Sequence, residues 1–170
     1  LKDRVDTTDK RVAVVDRSGV VTEALVKAAE LRNANEIIDK ESGKKVRPAY
    51  FFEEVKPNTN DPKGQRLELS DRVRNGDLHG FIEIGPQVVH PGKDRETFQI
   101  SYYAKNAAID DLRNWAAGAI NNRLRELRLA DAGVKESDVK DLFFWVTVDG
   151  LGLVSLDEST GAIAEGKRAS

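Results

Sequence analysis

The chain has 170 residues, with 27 Lys and Arg against 29 Asp and Glu, a formal net charge of -2 and no cysteine. This near balance of charge gives no global electrostatic reason to expect nucleic acid or an acidic membrane as a partner. The lack of cysteine excludes a disulfide framework, a thiolate metal site and a cysteine nucleophile. The length predicts a single domain over residues 1–170, with a core from about residue 10 to 156 and loose termini. Because the chain begins at Leu1 and contains no methionine, we expect that it has been excised from a longer protein.

The first half of the chain alternates short apolar runs with helical patterns. Arg11–Asp16 is a continuous apolar run that predicts a strand buried on both faces, as in a parallel sheet. The helical spacing of apolar residues predicts a first helix over Val20–Ile38. A second strand over Ala49–Phe52 and a short amphipathic helix over Gln65–Arg74 follow.

The second half adds more strands and the longest helix. Gly80–Ile84 predicts a third strand, and the alternating residues Thr97–Ala104 predict a fourth, antiparallel to the third. A helix is expected over Ala107–Ala130, with an apolar stripe that includes Ile109, and with Asp110 and Asp111 in its first turn. Three arginines near its end are interpreted as a solvated helix end: Arg123, Arg125 and Arg128.

Two further strands are predicted near the end of the chain. Leu142–Val148 and Leu151–Leu156 flank Asp149-Gly150, a dipeptide typical of a two-residue hairpin turn. The order β-α-β-α-β-β-α-β therefore predicts an α/β fold. Its mixed sheet would have five to six strands and a parallel core, covered by helices.

No catalytic motif emerges from the sequence. Gly161–Lys167 has the spacing of a phosphate-binding loop, but Arg168 stands where Ser or Thr should hold magnesium. The two histidines, His79 and His90, lie on either side of the third strand and are not in a metal-ligand spacing. They could approach one another, although exposed or capping histidines are commoner. We therefore predict that the chain is not an enzyme and has no metal site and no cofactor.

The most interesting candidate site is Asp16, followed by Ser18 and Gly19. An acid at the carboxyl end of a strand, before a helix, occupies the position where open α/β sheets bind ligands. A ligand cleft here would take Asp16, Ser18, Gly19 and Asn106. The purely structural alternative, favoured over ligand binding, is that Asp16 or Ser18 caps the helix.

Four stretches, in order, resemble a known family. RVAVVDRSG (11–19) resembles the opening of the segment between the first two membrane spans of bacterial ABC-2 type transporter permeases, including the sodium-efflux type. NGDLHGFIEIGP (75–86), SYYAKN (101–106) and INNRLRELRL (120–129) are similar to later elements of the same segment. One departure is Gly85 before Pro86, which puts the geometry at that strand end in doubt.

The resemblance implies an extracytoplasmic domain at the bacterial cytoplasmic membrane, joined to its own transmembrane helices in the full protein. It also implies a separate cytoplasmic ATP-binding subunit and a second permease half, giving a dimer in the membrane, with no nucleic acid partner. The domain would contribute to export by gating, partner docking or substrate handling. The transported substrate stays open, because branches of the family carry sodium, drugs, lipids or polysaccharides. Two alternatives remain: a free-standing periplasmic small-ligand-binding α/β module, and a small hydrolase or transferase without a recognised motif.

Overall fold

The computed structural model describes residues 4–139, 155–156 and 163–164. The chain divides into two compact units, Leu1–Gly133 and Val134–Ser170. The first unit contains the sheet and the long helices. It therefore contains all of the candidate residues proposed from the sequence.

The first unit is built on a four-stranded sheet. Its strands are β1 (Lys10–Asp16), β2 (Tyr50–Glu54), β3 (Gly80–Ile84) and β4 (Ile100–Ala104), in the order β2-β1-β3-β4. β1 runs parallel to β2 and to β3, whereas β4 is antiparallel to β3. The predicted α/β class, the mixed sheet and its parallel core are confirmed.

Three helices cover the two faces of this sheet: α1 (Thr22–Glu36), α2 (Pro62–Arg74) and α3 (Asp111–Asp131). On one face, α1 and α3 bury alternate residues of β1 and β3, such as Val12 and Ile82. On the other face, α2 packs Leu69 and Val73 against the remaining residues of the same strands. Both faces of β1 are therefore covered, which explains why its sequence is continuously apolar.

Helix starts differ from the predicted ones because capping residues decide them. α2 begins at Pro62 rather than Gln65, since the side chain of Asp61 accepts a hydrogen bond from the amide of Gly64 and proline fits the first turn. α3 begins at Asp111 rather than Ala107, since Asp110 caps it and a short 3₁₀ turn precedes it. Ile109 therefore falls outside the helix and is 82% exposed, so its place in the apolar stripe was wrong.

The second unit contains a helical turn, α4 (Glu136–Val139), and two short strands, β5 (Ser155–Leu156) and β6 (Ile163–Ala164), that pair antiparallel. The predicted strand Leu142–Val148 and most of Leu151–Leu156 lie outside the described residues. The same holds for most of the stretch with phosphate-loop spacing, residues 161–167. The five to six strands predicted for one sheet therefore stay a prediction beyond the four that are described.

Different side chains gather at the two ends of the sheet. The amino end is where β1, β2 and β3 begin, and the carboxyl end is where they finish. Because Gly80 pairs with Ala104, β4 finishes at the amino end. Helix α3 runs from the amino end, where Asp110 contacts Lys10 and His79, to the carboxyl end, where Asp131 contacts His90 after β3.

Candidate functional site

Asp16, the acid that ends β1, bonds to the turn that follows β1 through one carboxylate oxygen and caps the start of helix α1 through the other. Oδ1 accepts hydrogen bonds from the amides of Ser18 and Gly19 at 2.9 and 3.1 Å and from the Ser18 hydroxyl at 2.5 Å. Oδ2 accepts from the amides of Val21 and Thr22 at 2.9 and 3.0 Å and from the Thr22 hydroxyl at 3.2 Å. Burial alone would raise the pKa of Asp16, but these hydrogen bonds outweigh it and hold the pKa below its ordinary value.

This arrangement supports the structural interpretation of Asp16. A carboxylate has about four lone-pair sites, and those of Asp16 are already engaged by donors from its own turn. Gly19 has φ of 69°, a left-handed conformation that glycine adopts without strain, so its role is to form the turn. Asp16 therefore caps the helix, Ser18 and Gly19 form the turn before it, and no lone pair of the Asp16 carboxylate is left over for a ligand.

Asn106, the fourth candidate, is not brought to Asp16. It lies two residues beyond β4, which finishes at the amino end of the sheet. Asp16 lies at the carboxyl end, because it is the last residue of β1 and pairs with Ile84, the last residue of β3. The two residues are therefore at opposite ends of the sheet and cannot line one cleft.

A second buried acid, Glu83, is held by two arginines on the face covered by α2. Arg66 donates to both carboxylate oxygens, through Nε at 2.6 Å and Nη2 at 3.1 Å, and Arg17 donates through Nη1 at 3.3 Å. Burial works to raise the pKa of Glu83, but the two guanidinium groups overcome it and lower the pKa. This ion cluster links the turn after β1 to β3 and α2, and both carboxylate oxygens of Glu83 are paired.

A third acid, Asp110, is the centre of a cluster at the amino end of the sheet. We call Lys10, His79, Tyr102 and Asp110 the Asp110 cluster. Oδ2 of Asp110 accepts from the Tyr102 hydroxyl at 2.6 Å and lies 2.5 Å from Nε2 of His79. Oδ1 accepts from the amide of Leu112 at 3.1 Å and lies 3.6 Å from Nζ of Lys10. The cluster thus joins β1, the start of β3, β4 and α3.

The electrostatics of this cluster favour a charged Asp110. Burial opposes the charge, but the hydrogen bonds from Tyr102 and His79 prevail and hold the pKa of Asp110 below its ordinary value. Burial, followed by the hydrogen bond to the carboxylate, strongly raises the pKa of Tyr102, which therefore stays protonated and donates. Asp110 is 7% exposed, whereas the side chain of His79 is 31% exposed. His79 is thus a partner of the buried acid that is itself partly exposed to solvent.

A cleft of about 590 Å³ opens beside the Asp110 cluster. That volume is within the range of small-molecule sites in proteins. Lys10, His79 and Asp110 line it together with Arg11, Lys105 and Asn106. Asn106, proposed from the sequence as a ligand residue, therefore lies in a cleft, but a different one from the cleft predicted at Asp16.

The two histidines are not brought together, and the arginines of α3 are not merely solvated. His79 contacts Asp110 at the amino end of the sheet, whereas His90 contacts Asp131 at the carboxyl end, with 2.7 Å between Nε2 and Oδ2. Arg123 donates to the carbonyl oxygen of Val20 at 3.0 Å, and Arg128 donates to those of Val88 and Val89 at 2.8 and 2.7 Å. These two arginines tie α3 to loops at the carboxyl end of the sheet.

Sequence reasoning missed the Asp110 cluster because its members are far apart in the chain. Asp110 was interpreted only as a favourable charge in the first helical turn, and His79 as a capping or exposed residue. The available signal was the pairing of β3 with β4. Once those strands are antiparallel, the residue before β3 and the residues after β4 lie at the same end of the sheet.

Within the part of the chain that the structure describes, no group of three or more His or acidic residues could hold a metal ion. No helix among those residues is long and apolar enough to span a membrane. No protein-family model matches the chain, and neither does any curated protein or solved structure. The similarity to ABC-2 type permeases therefore rests on the four sequence stretches alone.

Proposed function

We propose that this chain is the extracytoplasmic portion of an ABC-2 type transporter permease and has no catalytic activity of its own. The proposal rests on the resemblance of residues 11–19 to the opening of that segment. In the fold, these residues form most of β1, one of the two inner strands, and the turn in which Asp16 caps α1. The stretch that carries the resemblance is thus the part of the chain on which the sheet and the first helix depend.

The other similar stretches also fall on supporting elements. Residues 75–86 contain β3, residues 101–106 contain most of β4, and residues 120–129 form the second half of α3. A family likeness concentrated on the core is what a shared fold would produce. The engagement of Asp16 and Glu83 in internal hydrogen bonds supports a non-catalytic role for these two acids. ATP hydrolysis would then belong to a separate cytoplasmic subunit.

Labelling of the full-length protein in spheroplasts tests the location of the domain. The chain has no cysteine, so a Glu23→Cys variant, at a side chain that is 82% exposed, introduces one thiol once any cysteines elsewhere in the protein are replaced. A membrane-impermeant maleimide should label this variant in intact spheroplasts as fully as after lysis. Labelling only after lysis would place the domain in the cytoplasm and overturn the proposal.

A buried position gives the matched control. Ala29 lies on the same helix and is 2% exposed, so Ala29→Cys should resist the reagent until the protein is denatured. Flanking gene sequence gives a second, independent check. Apolar spans before Leu1 and after Ser170 support the permease.

The cleft beside the Asp110 cluster favours a second candidate, the free-standing periplasmic small-ligand-binding module. That candidate requires a cleavable signal before Leu1 and a stop codon near Ser170. The same gene sequence therefore separates the two candidates. Finding those features would replace the permease with the binding module.

A further inference from the structure

The contact between His79 and Asp110 determines which nitrogen of the imidazole ring faces the carboxylate. A charged carboxylate only accepts hydrogen bonds, so Nε2 of His79, 2.5 Å from Oδ2, must carry the proton that lies between them. In the neutral ring this leaves a lone pair on Nδ1. Among the described residues, Nδ1 has no hydrogen-bond partner, and the His79 side chain lines the cleft. In its neutral form, His79 therefore presents to the cleft an acceptor whose orientation is fixed by a buried acid.

The cleft also contains charges of both signs that lack partners. Asp9 and Lys10, two of its lining residues, are already paired, Asp9 with Lys45 and Lys10 with Asp110. The side chains of Arg11, Lys105, Asp77 and Asp111 also line the cleft. None of these four side chains forms a hydrogen bond or an ion pair with another described residue. Two cations and two acids are therefore available to a bound molecule.

Part of the cleft wall is apolar. Leu78 and Val73 are buried beneath it, and Ile109, 82% exposed, stands at its side. An exposed isoleucine between β4 and α3 does nothing for the core. A ligand with a short hydrocarbon part would remove some of its surface from water, which is favourable.

We propose that this cleft binds a small zwitterion, a molecule with an ammonium group and a carboxylate or phosphate group. The anionic group is taken by Arg11 and Lys105. The ammonium group donates to Nδ1 of His79 and faces Asp77 or Asp111. The inference does not depend on the permease assignment, because it rests only on the residues of the cleft.

Titration of the protein with alanine, propionate and ethylamine tests the requirement for both charges. Propionate is alanine without the ammonium group, and ethylamine is alanine without the carboxylate. Because a hydrogen bond to a charged group contributes about 1.5–3 kcal/mol, each half should bind at least roughly tenfold more weakly than alanine. Phosphoethanolamine, with ethanolamine and inorganic phosphate as its halves, shows which anionic group is preferred. Amide chemical shifts in nuclear magnetic resonance spectra would report binding at residues 77–79 and 105–111.

Variants separate this site from general charge effects. Lys105→Ala, at an exposed position, should fold normally and weaken binding of the preferred zwitterion severalfold or more. His79→Ala should do the same if the variant folds. His90→Ala is the matched control, because His90 also contacts an aspartate but lies at the other end of the sheet. Binding should be unchanged in this control.

Three results would overturn the proposal. The first is the absence of a saturable shift with both zwitterions up to tens of millimolar. The second is that the halves bind as tightly as the whole molecules. The third is that binding survives in Lys105→Ala unaltered. None of these results bears on the labelling test of the permease assignment.

Discussion

Asp16 and Asp110 are two buried acids that do the same local job with different partners. They are 6% and 7% exposed. Each accepts a hydrogen bond from a backbone amide at the start of a helix, Asp16 for α1 and Asp110 for α3. The donors to Asp16 all lie within six residues of it, on one turn. Those to Asp110 include His79, 31 residues away, and Lys10 lies 3.6 Å from it as an ionic partner.

The difference shows how a cap is distinguished from a site. The lone pairs of Asp16 are all engaged by donors of the following turn, so this carboxylate stabilises local structure and has none available for a ligand. Asp110, in contrast, orients the partly exposed side chain of His79 at the surface of a cleft. Asp16, which the sequence singled out as a candidate ligand residue, thus has a structural role. Asp110, which the sequence marked only as a charge in the first helical turn, is part of the candidate site.

The largest effect is expected for Asp16→Ala. The substitution leaves the buried amides of Val21 and Thr22 without an acceptor and removes the cap of α1. These two hydrogen bonds are the cap itself, and each buried donor left unpaired costs about 1–3 kcal/mol. We therefore expect the free energy of unfolding to fall by about 3 kcal/mol or more, measured by urea denaturation followed by circular dichroism.

An exposed acid with similar local bonds provides the control for this substitution. Asp39 accepts from the amide and hydroxyl of Ser42 at 2.7 and 2.6 Å, as Asp16 does from Ser18, but on the surface. Asp39→Ala should leave the urea midpoint nearly unchanged. If the two variants lost equal stability, burial of the Asp16 donors would not be the reason for its importance.

Asp110→Ala should come second, with a loss of about 2 kcal/mol in the free energy of unfolding. The hydroxyl of the half-buried Tyr102 loses its acceptor, which costs about 1–3 kcal/mol, and the cap of α3 is lost as well. The cost is smaller than for Asp16 because His79 and Lys10 are partly exposed and can turn towards water. Denaturation under the conditions used for Asp16→Ala measures it. A loss as large as that of Asp16→Ala would contradict this ranking.

The same contrast explains what could be predicted from the sequence. β3 was predicted with its observed bounds, and β1 to within one residue, because an apolar run between turn residues is a local signal. A helix cap at Asp16 could also be predicted, since Asp16, Ser18 and Gly19 lie within four residues before a helical pattern. The Asp110 cluster could not be predicted from the sequence, because it forms only when strand register and the position of α3 bring residues 10, 79, 102 and 110 together.

A third prediction concerns acid pH. The folded-state pKa of Asp110 lies below its ordinary value of 3.8, so its charged form stabilises the fold at pH values above 3.8. This contribution is lost as the pH falls through the lowered folded value, because the unfolded chain then binds the proton more readily. Between pH 5 and pH 2, the urea midpoint of the unsubstituted protein should therefore fall more steeply than that of Asp110→Asn. Parallel slopes would show that Asp110 carries no such pKa difference.

The smallest effect is expected for the other histidine–aspartate contact, His90 with Asp131. Its geometry resembles that of His79 with Asp110, but the side chains are 67% and 56% exposed. Exposed ion pairs contribute about 0–1 kcal/mol because water competes for both groups. Asp131→Ala should therefore change the free energy of unfolding by less than about 0.5 kcal/mol, in the same urea experiment. If it cost as much as Asp110→Ala, a close contact alone would determine stability, and burial would no longer explain why the Asp110 cluster differs from the rest of the surface.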